Sequence, residues 1–397
     1  MSERQPLGLA PGGASPRYIL EPLPGYRLRA VEAPRPAPVP DVLAALADAV
    51  AHPSGARPLA QIASSRTRVV VVVSGAARQE PRAELFGAVR SALAAVPDDH
   101  LMIAIANGGH PPAGLDRLGL PADALRRHRV VDHDARDAGA MVDMGLTSRG
   151  TRLRVNRCLA EADLVVTTGA IRPHHAAGFS GGAKGIFPGL AFEEDVRRNR
   201  ALADDPASSL GEADGNPCRE DFEEAVRRLG RDTYAVNVVA AGAAVVAAVA
   251  GDIVYAHREG VRLARPWCEV EAPRADCVVV SAPLPLGASL SQAAKLVSRA
   301  GLLLREGGTA ILAAECGDGV GGRGERSVLE PFRRRCLPEG ATLLVVSSLD
   351  APTVTAAGGT WAPDLEHALA VARARAGNRD LDVAVIPDGS DLVPRPV

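Results

Sequence analysis

The sequence predicts an α/β protein made of two α/β domains, each with a mostly parallel sheet, and an active-site cleft between them. Three observations carry that expectation. Short runs of β-branched and apolar residues recur along the chain, as in strands buried on both faces. Each run leads through a loop into a helix-length segment, the order that builds parallel sheets. The pattern pauses near Glu271-Ala272-Pro273-Arg274 and then restarts. The domains are therefore drawn at 1–272 and 273–397, and a tail of about 120 residues is an ordinary domain size.

Taken in order, residues 1–40 are rich in Pro and Gly and read as an irregular arm with one short strand. Asp41–Ala51 reads as a helix with Asp41 as its N-cap. Arg68–Val73 is a buried strand, followed by Ser74-Gly75-Ala76-Ala77-Arg78 and a helix over Arg82–Ala95. Leu101–Ala106 is a second strand, ending at Asn107-Gly108-Gly109-His110. Ala162–Thr168 is a third, leading to Pro173-His174-His175, and Tyr234–Ala240 is a fourth. In the second domain, strands are read at Cys277–Ser281, Thr309–Ala313, Thr342–Ser347 and Val383–Ile386. Helices are read at Leu290–Leu304, Arg326–Arg335 and Ala362–Ala376. Ligands of open α/β sheets bind beyond the carboxyl ends of the strands, so Arg78, His110 and His174 are candidates by position.

Composition narrows the function. Of 397 residues, 47% are hydrophobic and 23% charged, with a formal net charge of −2, as for a soluble globular protein. Near-neutral charge and only 3% aromatic residues argue against a nucleic-acid partner. Cys158, Cys218, Cys268, Cys277, Cys316 and Cys336 form no CxxC pair and read as reduced thiols of a cytoplasmic protein. Residues 1–16 lack an apolar signal core. Val238–Ala250 is apolar but too short to span a bilayer, and Gly242 interrupts it. The 45 basic residues include just two lysines, Lys184 and Lys295, against 43 arginines. An amine can form an amide or imine, which a guanidinium does not.

The segment from Pro173 to Gly189 holds five glycines and Ser180 around Lys184, a loop suited to an anion. Ala183 before Lys184 and Gly185 after it exclude a Walker A loop. His110 and His174 make a candidate acid–base pair. Arg78 and Lys295 are cations suited to a carboxylate or phosphate. His52, His100, His128 and His367 read as structural or surface groups, while His133 and His257 stay open.

These residues resemble the nickel-dependent lactate racemase family. The similarity runs from Val69 to about Ala372. It includes Arg78, Asn107-Gly108-Gly109-His110 and the long segment 173–184, then Pro188-Gly189, Asn216-Pro217, Gly251-Asp252 with Ala256-His257, and Gln292 with Lys295. The resemblance implies a racemase or epimerase of a 2-hydroxy acid. Its implied cofactor is the nickel-pincer nucleotide, pyridinium-3,5-bisthiocarboxylic acid mononucleotide with nickel, bonded through a thioamide to the residue matching Lys184. Ser180, Gly181, Gly182, Pro188 and Gly189 would lie against it. The histidines matching His110 and His174 would alternate as base and acid while the C2 hydride moves to the cofactor and back. Arg78, Gln292 and Lys295 would bind the substrate carboxylate. Partners implied are the small-molecule substrate and the cofactor-synthesis enzymes, with no nucleic acid and no membrane.

The sequence also departs from the family. Asn199-Arg200 stands where the family has Asn-His, whose histidine ligates nickel, and an arginine cannot ligate a metal. His175 is the candidate replacement. Gly75 replaces an acidic residue, Ser291 a tyrosine, and Trp361 is the candidate for an active-site tryptophan. Two other readings stay open beside the racemase: the same fold without nickel and with different isomerase or lyase-type chemistry, and a non-catalytic binder of cofactor or carboxylate.

Overall fold

The structure is a computed structural model that describes the chain except residues 1–6, 10–17, 21–22, 77–78, 113 and 323–326. It divides into two compact units, residues 35–267 and residues 1–34 with 268–397. The expected boundary at 272/273 therefore moves to 267/268, and the N-terminal residues join the C-terminal unit. The physical reason is strand pairing. Tyr26–Ala30 adds in parallel to Leu381–Ile386, with Arg27 opposite Asp382 and Leu28 opposite Val383. An arm read as irregular thus completes a sheet, because an edge strand needs only backbone partners and one apolar face.

In the unit of residues 35–267, a six-stranded sheet runs in the order Ala244–Gly251, Asp232–Ala241, Leu164–Ile171, Val69–Ser74, Leu101–Ala106, Arg129–Asp132. All neighbours are parallel except the first pair, which is an antiparallel hairpin. The apolar stretch at 238–250 is that hairpin, turned at Gly242, where φ is +59°. The Val69–Val73 run is buried throughout, and its two faces belong to two different apolar clusters. That explains an unbroken β-branched run in place of alternation. Val42–Ala51 forms a helix with the Asp41 carboxylate accepting from the Ala44 N–H, as expected.

The other unit carries a six-stranded, wholly parallel sheet in the order Thr360–Ala362, Thr342–Val346, Leu304–Ala314, Ala275–Ala282, Leu381–Ile386, Tyr26–Ala30. Three helix expectations are corrected here. Leu290–Leu304 is not continuous: α-helical Leu290–Ala293 and Val297–Leu303 flank a 3₁₀ turn, Ala294–Leu296. The helix expected from Ala362 starts at Leu365, because Thr360–Ala362 is a strand and Asp364 caps the helix through the His367 N–H. The helix expected from Arg326 starts at Glu330 among the described residues. Trp361 packs on the apolar core and its indole donates to the Leu349 carbonyl, a structural placement. No helix among the described residues is long and apolar enough to cross a membrane. All six cysteines are free thiols, with only Cys336 not fully buried.

Candidate active site

The glycine-rich segment begins as a miniature hairpin. Pro173–His174 pairs with Gly178–Phe179, and His174 lies opposite Gly178. Gly178 has φ +68°, and a Cβ there would stand 2.0 Å from the Glu212 carbonyl oxygen, so only glycine fits. The His174 Nδ1 accepts the backbone N–H groups of Ala176 (3.3 Å) and Ala177 (3.1 Å). A nitrogen that accepts carries no proton, so the neutral ring holds its proton on Nε2. The His175 ring stacks on His174 with centroids 4.6 Å apart. Asn216 secures the loop: its amide donates to the Ala176 carbonyl at 2.9 Å, while its oxygen caps the helix Pro217–Leu229. The Asn216-Pro217 pair is thus a helix start tied to the histidine loop.

Lys184 lies in the 3₁₀ turn Gly182–Gly185 and is half-buried. Successive hydrogen bonds join it to the turn that bears His110. The Gly189 N–H donates to the Lys184 carbonyl (3.2 Å), the Gly108 N–H to the Gly189 carbonyl (2.8 Å), and the His110 N–H to the Asn107 carbonyl (3.0 Å). A Cβ on Gly189 would meet the Gly185 oxygen at 2.0 Å, so this close approach also requires glycine. Asn107 is held by Asp132 (2.7 Å) and the His133 carbonyl (2.9 Å). Its own oxygen lies 2.5 Å from where a Gly75 Cβ would stand. Glycine at 75 therefore belongs with this placement of Asn107: any side chain there would have to displace the Asn107 amide.

The structure places Arg200 at the same turn, with Nη2 3.6 Å from the position of a Cβ on Gly109. Neighbouring Asn199 faces inward and donates to Asp221 at 2.7 Å. Ser180 turns its hydroxyl inward, donating to the Ala170 carbonyl at 2.7 Å, so it shapes the loop by its side chain. Arg78 lies outside the described residues. Gln292 and Lys295 belong to the other unit, where the Lys295 ammonium donates to the Gln292 amide oxygen. The 3₁₀ winding brings positions three apart over one another, which makes that contact.

Sequence reasoning left His133 and His257 open and missed Arg219 and Asn237. His133 is buried, with Nε2 3.1 Å from the Ala191 carbonyl. His257 is buried with Nε2 3.0 Å from the Ser180 carbonyl and Nδ1 3.2 Å from the Arg258 guanidinium. Arg258 can only donate, so His257 is neutral with its proton on Nε2. Burial pushes His257 well below its ordinary value, and the Arg219 and Arg258 cations push the same way. Burial also lowers His133.

Both shifts bear on stability. The unfolded chain protonates these imidazoles near pH ~6.5, while the folded chain resists protonation. Below that pH the unfolded state binds more protons, so stability falls on acidification. The slope is about 1.4 kcal/mol per pH unit for each histidine that stays neutral. The loss begins below the unfolded value and ends at the folded one. Denaturation from pH 7.5 to 5 is expected to weaken the wild type more steeply than His257→Gln. Equal slopes would show that folded His257 takes up a proton freely.

Comparison with known proteins places this site in context. Residues 18–211 match the family described as lactate racemase N-terminal domain. The lactate racemase of Thermoanaerobacterium thermosaccharolyticum is 28% identical over 387 residues, 87% of this chain and 89% of that protein. The lactate racemase of Lactiplantibacillus plantarum is 27% identical over 377 residues, 86% and 88% of the two chains. The solved apoprotein from T. thermosaccharolyticum superposes with a TM-score of 0.85 at 27% identity, covering 98% of this chain and all of that one. A Thermotoga maritima structure shares the fold alone, with a TM-score of 0.64 at 14% identity over 89% of this chain and 97% of its own.

Proposed function

We propose, from the premise that this chain belongs with the lactate racemases, that it is a racemase or epimerase of a small 2-hydroxy acid or related hydroxy compound. Proton-coupled hydride transfer to a nucleotide tethered at Lys184 is the proposed route. One observation carries the reading. The sole lysine of the unit 35–267 sits in the glycine turn, joined by backbone hydrogen bonds to the turn that bears His110.

The residues fit a pyridinium mononucleotide in part. Lys184 is half-buried on a turn whose glycines exclude side chains from its surroundings, which suits a covalent tether and a close phosphate. The metal part does not fit. Arg200 occupies the position of the family's ligand, and a guanidinium offers no lone pair. Among the described residues, no group of three or more His, Cys, Asp or Glu is arranged to hold an ion. His175, the candidate replacement, stacks on His174 and belongs to no such group among the described residues.

A bound pyridinium ring supplies an electron-poor carbon that can take a hydride from C2 and return it. The chain's own residues do the rest. One histidine of the pair His110 and His174 removes the hydroxyl proton as C2 becomes planar. The other gives a proton back when the hydride returns to the opposite face. Lys295 with Gln292, and Arg78, orient the carboxylate.

A hydroxy-acid panel in deuterated buffer, read by chiral chromatography and mass, tests the reaction. Inversion with C2 keeping its own hydrogen is expected. Inversion with solvent deuterium at C2 would sink the hydride reading in favour of proton abstraction. Arg200 favours a second reading, the same fold acting without nickel. Arg200→His is expected to raise the nickel content of protein made alongside the cofactor-synthesis enzymes. Equal nickel in both proteins, by metal analysis, would show that position 200 does not decide metal binding.

A further inference from the structure

Arg219 and Arg299 are cations buried against peptide carbonyls, one in each unit. Arg219, on the helix Pro217–Leu229, donates to the carbonyls of Phe179 and of Gly181, the latter at 3.2 Å. With His257 on the Ser180 carbonyl and Asn237 accepting the Gly182 N–H at 3.1 Å, it shapes the glycine loop. Arg299, on the helix Val297–Leu303, serves a different turn, the one that carries Lys295. Its Nη1 donates to the Lys295 carbonyl at 3.2 Å and to the Ser298 hydroxyl at 3.0 Å. The Ser298 hydroxyl in turn donates to the same Lys295 carbonyl at 2.8 Å. The Nε and Nη2 of Arg299 reach away from the turn, to the carbonyls of Gly389 (3.0 Å) and Ser390 (3.2 Å).

Residues 389 and 390 follow the strand Leu381–Ile386, and the Gly389 N–H donates to the Ser281 carbonyl (3.1 Å) in the adjacent parallel strand Ala275–Ala282. The loop therefore lies at the carboxyl ends of two neighbouring strands, where open α/β sheets bind ligands. A Cβ on Gly389 would stand 3.0 Å from Leu296 Cδ1, so this loop rests on the residue next to Lys295. Arg299 is 3% exposed, and burial pulls it down to about 10 against the opposing Asp391, so it stays a cation at neutral pH. Its four hydrogen bonds offset that desolvation. The same contacts account for the break in the helix. Two side-chain donors on the Lys295 carbonyl compete with the N–H ladder of a continuous α-helix. The chain winds as 3₁₀ over Ala294–Leu296, where the Val297 N–H donates to the Ala294 carbonyl. Residues three apart then eclipse, and the Lys295 ammonium meets the Gln292 amide oxygen.

We propose that Arg299, with Ser298, is a positioning residue for the pair Gln292 and Lys295. By tying the Lys295 carbonyl to the loop at the strand ends, it fixes the 3₁₀ turn that sets the ammonium against the amide. The two side chains are thereby held in one geometry for a carboxylate, and the ordering is done before substrate arrives. The inference rests on the reading of Gln292 and Lys295 as the carboxylate-binding groups of a 2-hydroxy-acid racemase.

Two readouts on the whole chain test this. The first is kinetic, on protein made alongside the cofactor-synthesis enzymes, with the hydroxy acid that the wild type inverts fastest. Arg299→Met is expected to raise KM about ten-fold while kcat changes much less, the pattern of lost ground-state binding. Ser298→Ala should raise KM less, and Ser298→Thr, which keeps the hydroxyl, should preserve it. The second readout needs no cofactor. Carbon-13 at lysine Cε gives two side-chain resonances, because the chain has two lysines, and Lys184→Arg assigns them. Arg299→Met should move the Lys295 resonance and leave that of Lys184 in place. An unmoved Lys295 resonance in both Arg299→Met and Ser298→Ala overturns the proposal. So does an unchanged KM, whether or not kcat falls; a fall in kcat alone marks a smaller active fraction and a merely structural role. If Arg299→Met does not fold, the two Ser298 variants decide by the same readouts. Failure of the racemase reading is separately visible, as a wild type that inverts no hydroxy acid. The Lys295 resonance then decides alone whether Arg299 sets that lysine.

Discussion

Lys184→Arg is expected to abolish racemisation, by at least about 10³-fold, the scale on which a member of a catalytic unit fails when removed. Charge is conserved in this variant, and so is most of the side-chain length. What disappears is an amine able to form an amide-type bond, because the guanidinium stays protonated and is not a nucleophile. The same variant should carry no cofactor mass when made alongside the cofactor-synthesis enzymes, whereas the wild type should. Intact mass is unusually clean here, since Lys184 and Lys295 are the only lysines. Lys295→Arg should keep the adduct and lose activity only in part, because its expected role is to supply a positive charge for a carboxylate. A wild-type protein that carries no adduct under these conditions would remove the tethered cofactor from the account.

His110→Asn and His174→Asn are each expected to lower kcat by about 10²–10⁴-fold, the usual worth of a positioned acid or base. The double variant should lose little more than the worse single one, because the two histidines serve one proton balance. The two sites are not equivalent in the structure. His110 is exposed at the end of a four-residue turn, whereas the Nδ1 of His174 is held by two backbone N–H groups. His174→Gln should therefore be milder than His174→Asn. The longer amide oxygen can take the Ala176 and Ala177 donors while its NH₂ replaces the Nε2 donor. Nitrogen-15 NMR of the histidine rings checks the premise: His174 should show an unprotonated Nδ1 at neutral pH. Activity unchanged by both asparagine variants would dismiss these histidines as acid and base.

Much of this architecture is legible in the chain. The Val69–Val73 and Leu101–Ala106 runs name their strands, since unbroken apolar β-branched sequence has no other common home than a sheet covered on both faces. Asp41 names its helix start through capping chemistry. The glycine spacing around Lys184 marks a special backbone, and the Gly178 and Gly189 contacts give the steric reason. Local chemistry misled where a partner was distant. Tyr26–Ala30 is a strand because Leu381–Ile386 lies beside it, some 350 residues away, and nothing within the segment announces that.

The candidate site divides in the same way. By itself the sequence determined which groups are available: a lone lysine among glycines, histidines after two strand ends, and an arginine at 200 where the family resemblance leads one to expect a histidine. Residue type and close spacing fix such matters, because they depend on covalent chemistry and on steric limits within a few residues. Only the tertiary structure decided that Arg219 and His257 lie beneath the loop, that Asn107 fills the space beside Gly75, and that Arg200 reaches the turn before His110. A charged residue on an amphipathic helix reads as solvent-facing in one dimension. Whether it is instead buried against peptide carbonyls depends on a hydrogen-bond account that closes only when distant segments are packed together.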